Sequence, residues 1–159
     1  KMARHLPSAA SRYFDDLLAV QADITKIILS EILEKHPQSF IEIGTSRVEE
    51  LHVLKASDQI DSAAIASGEI RAYHALAMLM RRPVVLGLLN TIGKTIGQNQ
   101  DLTALMFSNP TRLADRWMRL IQAAKSGVDH TQMVEGIYAY LQERRVVHVQ
   151  EFVKRFQHV

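Results

Sequence analysis

The chain has no cysteine, which excludes disulfide frameworks, thiolate metal sites and cysteine nucleophiles. Seven glycines and four prolines are too few for a collagen-like or low-complexity chain. Long apolar runs are missing as well. The longest, Pro83 to Leu89, falls well short of the roughly 20 residues that a membrane-spanning helix needs. No apolar segment follows Lys1 and Arg4, so the N-terminus does not read as a secretory signal and no membrane insertion is expected. The expected location is cytoplasmic. The chain opens on Lys1 rather than Met, which reads as a fragment of a larger protein or a tag scar.

What is present fits one globular domain over residues 1–159, with 47% hydrophobic and 23% charged residues. The net charge of +2 hides an asymmetry. Residues 1–80 carry 8 Lys/Arg against 11 Asp/Glu, and residues 81–159 carry 11 against 6. A basic C-terminal half suits nucleic acid, an anionic surface or an acidic partner, or it lets the two halves attract each other.

The periodicity is helical almost throughout. Phe14, Leu17, Leu18, Ile24, Ile27, Ile28 and Ile32 form a stripe at spacings of three and four, ended by His36-Pro37. This is one long helix, or two with a break near Asp23. Phe40-Ile41-Glu42-Ile43 alternates like a strand without a partner and reads as extended loop. Ser46 with Glu49 has the spacing of a capping box and starts the next helix. Asp61 or Ser62 caps another, with Ile65, Ile70, Tyr73, Leu76, Ala77 and Met80 on its apolar face. From Val84 to Ile96 the chain is apolar around most of a helix, so this segment is expected to be the buried central helix. Asp101 to Phe107 makes a short helix, and Asn109-Pro110 opens one carrying Leu113, Trp117, Leu120 and Ile121.

The C-terminal subregion, residues 128–159, has the outline of a helix-turn-helix or partial winged helix. Thr131 to Arg144 forms one helix, Val146-Val147-His148-Val149 the connection, and Gln150 to His158 a second helix. In a DNA reader that second helix enters the major groove, with Gln150, Lys154, Arg155 and Gln157 as contacts. The expected class is therefore all-α, a single domain of seven to eight helices.

Motifs for chemistry are sparse. Gly93-Lys94-Thr95 ends like a phosphate-binding loop, but Leu88 stands where the first glycine belongs. Glu49 and His52 have the spacing of half a paired-metal site, without its second half. No H-E-x-x-H or G-x-S-x-G motif occurs, and Asp15 and Asp16 diverge on a helix. No enzyme activity, metal or cofactor is expected. The basic residues carry more: Arg112, Arg116 and Arg119 share a helix stripe, and Arg144, Arg145, Lys154 and Arg155 cluster at the C-terminus. Arginine pairs bidentately with phosphate or carboxylate.

The leading expectation is a non-enzymatic protein-protein interaction or assembly module, with a protein partner or self-association. Met78 and Met80 add adaptable apolar surface to that reading. The alternative is a nucleic-acid-binding module using the basic C-terminal half.

Overall fold

Proline and short polar caps set most of the boundaries. The computed structural model describes residues 9–156, which form seven α-helices and no strand. These are α1 (Ala9–Lys35), α2 (Pro37–Lys55), α3 (Ser62–Met80), α4 (Pro83–Gln98), α5 (Gln100–Met106), α6 (Pro110–Ser126) and α7 (Thr131–Phe156). Pro37, Pro83 and Pro110 each open a helix, where a missing N–H costs nothing. The side chains of Asp61, Asn99 and Asn109 accept from the backbone N–H three residues on, at 3.0, 2.9 and 2.9 Å. Gly127 closes α6 in the left-handed region, at φ 65°. Asp129 starts α7 by accepting from the Thr131 hydroxyl and N–H, and these bonds hold its carboxyl below the usual range.

Four expectations are corrected. Phe40 to Ile43 is not a loop, and Ser46 does not start a helix: both lie inside α2. Its inward stripe is Phe40, Gly44, Arg47, Val48 and Leu51, so a 3.6-residue period overrides four alternating residues. Second, Ile27 is exposed rather than inward, although α1 is the one long helix, unbroken past Asp23 over 27 residues. Third, α4 is not the buried centre. It buries Val85, Ile92, Gly93 and Ile96, while Val84 is 75% and Leu88 43% exposed.

Finally, α7 is one helix of 26 residues, without a turn at Val146 to Val149. The inward spacing continues through that valine run to Val149 and the buried Phe152, so helical packing overrides β-propensity. Phe152 meets Phe14 of α1 at 4.6 Å between ring centroids. The helix-turn-helix or winged-helix hairpin expected within residues 131–156 is therefore not formed. Gln157 and His158 lie outside the described residues.

The two most extensive helix pairings are α2 with α6 and α1 with α7. The α1–α7 pair is antiparallel: Asp15 meets Arg145 at 3.3 Å, Tyr138 donates to Asp23 at 2.8 Å, and Lys26 meets Glu135 at 2.8 Å. On the α2–α6 side, Gly44 lets the backbone approach α6. A Cβ there would lie 2.9 Å from the Ile121 side chain.

Between α2, α3 and α6 sits a buried charge. Arg47 is 2% exposed along its side chain. Its Nε donates to Glu69 Oε1 at 2.9 Å, Nη2 donates to the Ile65 carbonyl at 2.7 Å, and Nη1 reaches Glu50. The Trp117 indole N–H donates to the same Glu69 oxygen at 3.0 Å. Phe40 and Tyr73 pack on the Trp117 ring at 5.6 and 5.5 Å. Gly68 makes room for this arrangement, because a Cβ there would clash with Arg47 Nη1. Every nitrogen of the guanidinium is thus answered, which a buried charge requires.

Two stability outcomes follow. Trp117→Ala should cost about 3–5 kcal/mol in denaturant unfolding, the usual range for emptying a large aromatic site. Glu69→Ala leaves the buried Arg47 Nε and the Trp117 indole without an acceptor and should cost about 3–5 kcal/mol, whereas replacing both partners by apolar residues (R47M with E69L) should cost clearly less. Equal losses for the single and double variants would contradict the pairing.

Candidate functional site

Every helix except α2 contributes to one cavity of about 150 Å³. Its apolar wall comes from Leu18 and Ile24 of α1, Leu89, Ile92 and Ile96 of α4, and Leu105 of α5. Gly93 stands on the same wall. A Cβ there would lie 3.0 Å from Ile70 of α3, so a glycine lets α3 and α4 close over this space. The lining from α6 and α7 is different in kind. There α6 presents Arg112 and Arg116, and α7 presents Tyr140, Leu141, Arg144, Arg145 and His148. On α7 these five fall at spacings of three, four and eight, which puts them on one helix face.

The charges of this lining are unbalanced: four arginines face one carboxylate, Glu69. Glu69 is already engaged by Arg47 and Trp117, and Arg116 stands 3.9 Å from its Oε2. Arg112 donates to the Tyr140 hydroxyl at 2.9 Å. Arg145 lies 3.3 Å from Asp15, although its buried Nε has no hydrogen bond of good geometry. Arg144 is half-buried and makes no ion pair among the described residues. Burial, and then the charge of Arg144, depress His148 to a pKa of about 4, so its imidazole is neutral at physiological pH. Burial likewise keeps the Tyr73 phenol un-ionised, far above its ordinary range.

The arginines singled out from sequence divide into groups. Arg112, Arg116, Arg144 and Arg145 come together at the cavity. Arg119 does not; it is exposed on the outer side of α6 beside Asp115 and Met118. Lys154 and Arg155 are exposed in the last turn of α7, and Arg155 pairs with Glu151 at 3.3 Å. Arg112, Arg116 and Arg119 therefore do not form one solvated stripe, because Arg116 turns inward toward Glu69.

Sequence reasoning missed Glu69 and Tyr140 as partners of these arginines. The signal was the stripe Ile65, Glu69, Tyr73, Leu76, which passes through an acidic position. Glu49 and His52 are both exposed, and no group of three metal-ligating side chains occurs among the described residues. Lys94 is exposed within α4, not on a phosphate loop. His74 shares a 3.0 Å hydrogen bond with Asn90 Oδ1. No protein-family model, curated protein or solved structure matches the chain. Function therefore rests on the geometry alone.

His148 gives a pH dependence with a definite sign. Its folded pKa of about 4 lies below the ordinary 6.5, so on acidification the unfolded chain takes the proton first. Stability from this group is full above about pH 6.5 and is lost as pH falls toward about 4. Urea midpoints at pH 7 and pH 5 should fall more for the wild type than for His148→Gln. Equal slopes would contradict the burial of a neutral imidazole.

Proposed function

We propose that the chain is a non-enzymatic helical module that works by docking a protein partner, through the outer face of α4. The observation that carries this reading is the chemistry of that face. Val84, Gly87, Leu88 and Thr91 are all exposed and follow one another at helical spacing without a charge among them. The Thr91 hydroxyl donates to the Gly87 carbonyl at 3.0 Å, and the Thr95 hydroxyl to the Thr91 carbonyl at 2.8 Å. The polar hydrogens of this strip are thus spent on its own backbone. Scattered exposed hydrophobics need no explanation, whereas Val84 and Leu88 stand one turn apart with Gly87 between them and together make an apolar surface that a partner can cover. Met78, 55% exposed near the end of α3, is a further adaptable apolar side chain outside the core.

The nucleic-acid alternative has less support. The groove-reading helix expected from Gln150 is instead the C-terminal end of α7, with no turn before it. The most basic helix faces are divided between an inward cavity and the exposed last turn of α7. No observation of catalytic geometry favours an enzyme.

A photo-crosslinking residue at position 88 tests the reading in cells expressing the full chain. It should yield a discrete adduct that Val84→Glu abolishes, while the same probe at exposed Thr111 yields none. An adduct containing only this chain identifies self-association as the docking event. No adduct at position 88 above the Thr111 control overturns the proposal.

A further inference from the structure

The cavity on the inner side of α4 is a separate matter from the docking face, and it has the attributes of a small-ligand site. Its volume of about 150 Å³ is that of a cavity able to hold a benzene-sized group. The part of the lining from α1, α4 and α5 is mostly aliphatic, with Gln21 and Thr25 of α1 as its polar members. The part from α6 and α7 holds four arginines, against a single carboxylate that is already engaged by two other donors.

We infer that this cavity binds a small amphipathic anion, a carboxylate or phosphate monoester whose apolar body is about the size of a six-carbon chain or ring. The apolar body lies against Ile92, Ile96 and Leu105, and the anionic head meets Arg144 and Arg116. Arg144 has neither an ion pair nor a side-chain hydrogen bond among the described residues, and Arg116 shares its carboxylate with two other donors and stands 3.9 Å from it, too far for a hydrogen bond. A guanidinium half-buried beside an apolar wall is costly without a counter-charge, and its planar fork matches carboxylate and phosphate oxygens. The neutral imidazole of His148 and the Tyr140 hydroxyl, on the same face of α7, supply further hydrogen-bonding groups beside the head.

Isothermal titration of the full chain separates the two halves of this recognition. Hexanoate and hexyl phosphate are the complete probes, 1-hexanol has the tail without the charge, and acetate has the charge without the tail. At least one complete probe should bind about tenfold or more tighter than both partial ones, and which one is tighter assigns the head group. Arg144→Gln should weaken the complete probe by about tenfold, in keeping with a lost charge-assisted hydrogen bond, and leave hexanol unchanged. Leu105→Phe, which fills the apolar end and keeps every arginine, should abolish binding while circular dichroism remains native. The inference is overturned if neither complete probe binds, if acetate or hexanol binds as well as they do, or if Arg144→Gln has no effect.

Discussion

A buried guanidinium is the constraint around which three helices are arranged. Arg47 of α2 can lie in the core only because α3 supplies the Glu69 carboxylate and the Ile65 carbonyl on successive turns. Gly68 on the same helix leaves the space that the guanidinium fills. The Glu69 carboxylate in turn orients the indole of Trp117, the largest fully buried side chain, which fixes α6. One ion pair thereby sets the register of α2, α3 and α6 together. Apolar contacts alone tolerate sliding, whereas a buried charge with three directional partners penalises any slip that leaves one of them unmade.

The same carboxylate connects the core to the cavity. Glu69 sits at the junction, with Arg47 and Trp117 on the core side and Arg116 on the cavity side. Because it is engaged by the core, it cannot neutralise the four cavity arginines, and the cavity keeps a positive character. The charge asymmetry between the two halves of the sequence has a structural counterpart here. Asp15 with Arg145, Glu31 with Arg82 and Glu69 with Arg116 join acids of the first half to bases of the second. Lys26 with Glu135 is a cross-half pair of opposite sense.

Much of the fold was legible because proline, asparagine and aspartate act locally. Pro83, Asn109-Pro110, Asp61 and Gly127 mark boundaries through their own backbone chemistry, and the structure places boundaries there. The stripe Leu113, Trp117, Leu120, Ile121 is amphipathic enough to state its own orientation, and all four are buried. What failed depended on tertiary context. Arg47 and Gly44 do not look like core positions, so the α2 stripe was broken and replaced by a strand-like quartet. A valine run suggested a break in α7, while packing against α1 kept it helical. The apolar circumference of α4 implied burial on all sides, but one side covers the cavity and the other is left outward. The cavity was only half visible: its arginines stood out, but its aliphatic lining comes from helices whose relative placement no local pattern encodes.

Hydrogen exchange at two side-chain protons tests the central role of the Arg47 network most directly. The Arg47 Nε proton and the Trp117 indole proton should both exchange only through global unfolding, with protection that tracks the stability of the whole domain as urea is added. Exchange of either proton within minutes, by a local opening insensitive to urea, would contradict an ion pair that holds α2, α3 and α6 in register.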